Sequence, residues 1–160
     1  NPRPLVWQFE ADRRVDVDEL DAFLSLLPRE MDGRLLRHAL EVRDPAAVNA
    51  ELIDLARRHQ VATVFTDSTE YPSFADLTAD FVYARLMRSQ PIDTGYPPKE
   101  LAQWAERARA WSRGEDIAGL PHVGEPAPAL PRRDVFVYFI SSAKERNPAA
   151  AMDLIRRLGA

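Results

Sequence analysis

A chain of 160 residues, 46% hydrophobic and 29% charged, suffices for one globular domain or a large part of one, with an ordinary soluble composition. Its formal net charge of −4 argues against broad, sequence-independent nucleic-acid binding but leaves room for a local basic patch; with no cysteine there is no disulfide, thiolate metal site or cysteine nucleophile. No apolar run approaches the roughly 18 residues of a membrane span, no signal peptide is visible, and a chain that opens at Asn1 is either processed or a piece of something longer; a cytoplasmic protein without a membrane partner is expected.

Leu5 to Phe9 is apolar with one polar interruption and predicts a strand. Val17 to Leu27 has helical spacing, with Leu20, Phe23, Leu24 and Leu27 on one face, Asp16 or Asp18 as cap, and Pro28 at its end. His38 to Arg43 predicts a second strand. Asp44-Pro45 then opens a helix running to about His59. Ala62 to Thr66 is a β-branched third strand ending in Asp67-Ser68. After a loop containing Tyr71 and Phe74, Phe81 to Leu86 predicts the fourth strand. Gly95-Tyr-Pro-Pro98 breaks the chain before a helix from Lys99 to Ser112. That helix has Leu101, Trp104, Ala105, Ala108 and Trp111 on its apolar stripe, a core pattern. Residues 114–133 are rich in Pro and Gly, without a period, and predict a mobile surface loop. Asp134 to Ile140 is a fifth strand, and Asn147-Pro148 caps a last helix with Met152, Ile155 and Leu158.

This order of strands and helices predicts an α/β domain with a parallel sheet covered by helices. An open doubly wound sheet fits the length. A (β/α) barrel needs roughly 250 residues, so only part of one would be present. Charge on strand faces favours the barrel. Central strands of an open sheet are apolar on both faces, whereas a barrel interior turns polar near its C-terminal mouth.

Pro4-Leu-Val-Trp-Gln-Phe9, His38-Ala-Leu-Glu-Val-Arg43, Thr78-Ala-Asp-Phe-Val-Tyr-Ala-Arg-Leu86, Trp104-Ala-Glu-Arg-Ala-Arg-Ala-Trp111 and Asp134-Val-Phe-Val-Tyr-Phe139 occur in this order. Together they resemble the Domain of Unknown Function 72, or YecE-like, family over most of the chain. The resemblance implies a TIM-type barrel, of which this chain would be the C-terminal portion, about five strands with covering helices. It implies no substrate. The chain departs from the family pattern at Asp44, where a His commonly follows the Glu-Val-Arg motif, and at Ser141-Ser142, where many members carry an Asn/Asp pair.

Alternation along a strand puts Glu41 and Arg43 on one face, and Phe81, Tyr83 and Arg85 on one face of another. A charge on an inward face is costly unless paired. Two strands that each send charge to one side near their C-terminal ends therefore predict a polar pocket at one end of the sheet. Glu41 and Asp67, the latter directly after a strand, are the candidate catalytic carboxylates. Arg43 and Arg85 are the candidate forks for a phosphate or carboxylate. Against these stand an ion-pair network that fills the interior and, for Asp67, a turn cap. Gln8, Tyr83 and Tyr138 are candidate substrate-binding residues. Lys144 joins them, with Arg146 and the helix start at Asn147 as a late-loop anion site; its bland reading is a plain cap. His38, His59 and His122 form no cluster. A carboxylate metal site through Glu41 and Asp67 has too few visible ligands to be claimed, the sequence names no cofactor, and no phosphate-loop or nucleophile motif is present. The leading reading is an enzyme acting on a small anionic substrate at a barrel mouth; the alternative is a non-catalytic ligand- or nucleic-acid-binding module. Either way, the first and last strands would be open edges, to be covered by the N-terminal half of a barrel or a second copy.

Overall fold

The computed structural model describes residues 3–140, apart from 13 and 15, and residues 147–159. Strands β1 (Leu5–Phe9), β4 (His38–Val42) and β5 (Ala62–Thr63) form one three-stranded parallel sheet, and β6 (Phe65–Thr66), β7 (Phe81–Leu86) and β8 (Asp134–Phe139) form another. Only Val64 separates β5 from β6, and its N–H donates to Leu40 O at 2.9 Å. Residues 62–66 therefore bond to β4 with their first half and to β7 with their second, joining both sheets into one surface. Its strands follow chain order and never reverse, so it has no switch point of the doubly wound kind. No barrel closes among the described residues: β1 and β8 are the edges.

The two faces divide by sequence parity. On one, Leu40 and Val42 of β4 meet Leu20 and Leu24 of α1 (Val17–Leu26) and Leu52 and Leu55 of α2 (Ala50–Arg58). On the same side, Val82, Ala84 and Leu86 of β7 meet Leu101, Trp104 and Ala105 of α3 (Pro98–Ser112) and Ala150 and Leu154 of α4 (Asn147–Gly159). Fully burying each such Leu contributes roughly 1.5–3 kcal/mol, so the helix-covered face carries most of the stability. The other face holds a smaller cluster without helices: Ala39, Ala62, Val64 and Phe81, flanked by Val6, Tyr83 and Phe136. Every residue of β8 is only half-buried, as suits an uncovered edge.

Asp16 caps α1, accepting from the Asp18 N–H at 2.9 Å. The helix expected from Pro45 to His59 is instead two pieces. Asp44 caps a 3₁₀ turn at Pro45–Ala47, and Asn49 caps α2 by accepting from the Leu52 N–H at 3.0 Å. Asn-Ala-Glu offers a second N-cap, and Val48 between the two is extended. A small hairpin, β2 (Glu30–Met31) and β3 (Arg34–Leu35), was not expected. Its signal is Asp32-Gly33, both at positive φ (52° and 76°), the dipeptide that a two-residue hairpin turn requires. Residues 114–133 carry no helix or strand but are anchored along their length. Asp76 accepts from the N–H groups of Val123 (2.9 Å) and Gly124 (2.8 Å), Asp116 pairs with His122 (2.8 Å), and Leu120 is buried.

Candidate functional site

Glu41 lies on the helix-free face of β4, next to Gln8 of β1 in register and across the strand at 62–66 from β7. Its Oε2 accepts from Arg43 Nε at 2.7 Å, and its Oε1 accepts from Arg85 Nη1. The three charged residues picked from strand parity thus meet in one network. All three side chains are largely buried, at 9% exposure for Glu41, 12% for Arg43 and 16% for Arg85. Arg43 also approaches Glu10 (3.5 Å) and lies over the Tyr71 ring, 4.1 Å from its centroid. Burial works against the Arg43 charge, but the bond and field of Glu41, with Tyr71 and Glu10, outweigh it and raise the guanidinium above its ordinary value. Arg85 spends one N–H on Glu41, and no other described residue takes its remaining donors.

Tyr83 and Tyr138 stack beside this network, ring centroids 5.1 Å apart, with the Arg3 guanidinium 5.8 Å from the Tyr138 ring. Burial, then the neighbouring Tyr138, pushes the Tyr83 hydroxyl above its usual range, so it stays protonated and able to donate. Gln8 is exposed and donates to Glu10 rather than to Glu41. Lys144 lies outside the described residues, as do Arg146 and Ser141-Ser142, and the Asn147 side chain is not described either.

Asp67 is not brought to the network. Parity puts it on the opposite side from Thr66, which is in register with Arg85. Its carboxylate accepts from the Met87 N–H (2.6 Å) and from the Tyr96 hydroxyl (2.7 Å), which in turn accepts from the Arg88 N–H (2.8 Å). Tyr96 is fully buried in the helix-side core. Asp67 thus ties the chain after β7 to the end of β6. The turn-cap reading anticipated a tether, but to its own loop rather than to Met87 and Tyr96.

Two members of the site escaped the sequence reading. Glu10 follows β1 directly, the same signal that singled out Asp67. Tyr71 sits in a loop, and nothing in its spacing points to Arg43. The buried His38 is structural: Trp7 Nε1 donates to its Nδ1 (3.1 Å), which leaves Nε2 to donate to Pro28 O (2.6 Å). Among the described residues, no group of three His, Asp or Glu side chains could hold a metal ion, and no helix is long and apolar enough to cross a membrane.

A structure of a DUF72 family protein from Thermotoga maritima superposes with a TM-score of 0.65 at 17% identity, covering 97% of this chain and 56% of that one. The chain therefore spans little more than half the length of that relative, and at this identity the match speaks for the fold. No curated protein matches. The family model described as "Protein of unknown function DUF72" matches residues 2–160, so the chain belongs to the DUF72 family.

Proposed function

We propose that this sheet is an arc of a TIM-type barrel and that the C-terminal ends of its strands bind a small anion bearing phosphate or carboxylate. The barrel reading is supported by parallel strands in unbroken chain order with helices on one face only, and by a chain that covers 56% of its structural relative. A further segment or a second copy would cover the edges at β1 and β8. The observation that carries the site is Arg85: a largely buried guanidinium fixed at one N–H by Glu41, its other donors unclaimed by the described residues. A preoriented fork of this kind matches a phosphate or carboxylate.

Within this reading Arg43 and Arg85 hold the anion, and Tyr83 and Tyr138 form an aromatic wall with a hydroxyl able to donate. Glu41 is engaged through both oxygens and orients the two arginines. A binding role for the site therefore has more support than a catalytic one in which Glu41 or Asp67 moves a proton.

The test is titration of the protein with inorganic phosphate and with citrate, followed through the ring NMR signals of Tyr83 and Tyr138. Saturable shifts that vanish in Arg85→Gln are expected. Saturable shifts that persist unchanged in that variant would refute the site.

A further inference from the structure

A large cleft lies at the other end of the strands. Its volume is about 690 Å³, within the roughly 300–1,000 Å³ of small-molecule sites. His38 and Phe81, at the starts of β4 and β7, form part of its wall. Five arginines line it, Arg29, Arg37, Arg57, Arg58 and Arg133, against one carboxylate, Asp80. In a chain of net charge −4 this is a strong local excess of positive charge.

The five are not equivalent. Arg133 is 4% exposed, and its guanidinium meets only carbonyls: Ala79 O (3.1 Å), Gly114 O (2.6 Å) and Pro128 O (3.1 Å). Arg57 likewise donates to the carbonyls of Leu77 (3.2 Å) and Glu125 (2.8 Å). Both are held rigidly without a bonded carboxylate, and burial lowers the pKa of Arg133. Arg37 pairs with Asp134 at 2.7 Å. Arg29 and Arg58 are exposed, with no ion-pair partner among the described residues.

A plain structural role explains part of this. Arg133 anchors residues 114–133, and Arg57 and Arg58 complement the C-terminal dipole of α2. That dipole amounts to only about half a negative charge. With Asp80, Asp134 and Asp116, whose field reaches Arg133, also counted, the five arginines still leave a positive excess. Nor does anchoring explain Arg29, which lines the cleft from the loop before β2.

We propose that this cleft binds a small molecule carrying two or more phosphate groups. Arg29, Arg37 and Arg58 contact the phosphates in front of the fixed charges of Arg57 and Arg133, and the exposed Leu35 and Pro128 of the cleft lining face the uncharged remainder. Guanidinium forks suit phosphate oxygens, and several convergent forks favour a polyanion over a single phosphate. The site is independent of the Arg85 network at the other strand ends.

The experiment is calorimetric titration of the protein with inorganic tripolyphosphate and, separately, ATP, with orthophosphate as the single-phosphate control. Tripolyphosphate should bind well more tightly than orthophosphate. The double variant Arg29→Ala/Arg58→Ala should weaken it by at least about tenfold while staying folded with only a small fall in Tm, since both side chains are exposed and only Arg58 complements a helix dipole. Arg85→Gln should leave it unchanged. No binding of either probe up to about 1 mM, equal affinity in the double variant, or loss of binding in Arg85→Gln would each overturn the proposal. ATP binding at least as tightly as tripolyphosphate would support a contribution from the uncharged wall.

Discussion

Glu41 and Arg85 are 44 residues apart and sit on strands that are not neighbours, yet Arg85 donates directly to the Glu41 carboxylate. The strand between them, residues 62–66, presents Ala62, Val64 and Thr66 to that face, the first two within the small cluster that also holds Ala39. Side chains of this size leave the long arginine free to reach across. The ion pair therefore ties β4 to β7 across the intervening strand and holds the charged groups of the candidate site together.

Removing Glu41 should expose the cost of that arrangement. Glu41→Ala leaves the largely buried Arg85 without a carboxylate and Arg43 with only the longer contact to Glu10, and breaking a buried pair from one side costs about 3–5 kcal/mol. Urea unfolding should show a loss of that size. A change below about 1 kcal/mol would mean that water already satisfies the network.

Tyr96→Phe tests the tether between β6 and the segment after β7. It removes the donor to Asp67 and the acceptor for the Arg88 N–H in a fully buried setting. Each group left unsatisfied costs about 1–3 kcal/mol. Burial and the charge of Asp67 push the Tyr96 hydroxyl far above its usual range, so it remains a donor at any working pH. A Phe variant as stable as the parent, by thermal or urea unfolding, would show that the tether is not a stability element.

Asp67 also gives a pH signature. Burial raises its carboxyl above the ordinary 3.8, against the opposing pull of the Met87 N–H and the Tyr96 hydroxyl. Between 3.8 and the higher folded value, the folded state binds more protons than the unfolded one. The contribution of this group is then fullest below that window and is lost as pH rises through it. Asp67→Asn should remove this negative slope, leaving the difference in urea midpoint between parent and variant to change with pH across the acid range. A difference that stays constant with pH would contradict the assignment.

Asp76 should control the order of residues 114–133. It is buried and accepts two N–H groups from Val123 and Gly124. Asp76→Ala should accelerate amide exchange and proteolytic cutting in this segment and cost about 2–4 kcal/mol. Unchanged exchange there would assign the anchoring to Arg133 and Asp116 instead.

Gly114 is the backbone counterpart. Its φ is +81°, and an added Cβ would lie 1.9 Å from Leu130 O. Gly114→Ala should destabilise by at least about 2–3 kcal/mol, measured by thermal unfolding. Tolerance of the methyl would mean that the close approach to Leu130 can relax at little cost.

Period and parity in the sequence determined the strands of the parallel sheet, the helix stripes and the faces, but not the β2–β3 hairpin. Leu40 and Val42 had to face one way and Glu41 and Arg43 the other, because side chains alternate along a strand whatever surrounds it. The pairing of α1 with its Asp16 cap and the core role of Trp104 and Trp111 were equally local. What local pattern left open was who meets whom. Asp67 and Glu10 both follow a strand directly and read alike in sequence. Only the tertiary structure turned Asp67 toward Tyr96 and left Glu10 beside Arg43. The five arginines of the cleft are scattered from residue 29 to residue 133, so no run of charge announced them. Their convergence arises because the starts of the strands, the end of α2 and the loop before β8 all arrive at one rim, and long-range proximity of that kind is a property of the fold rather than of any segment.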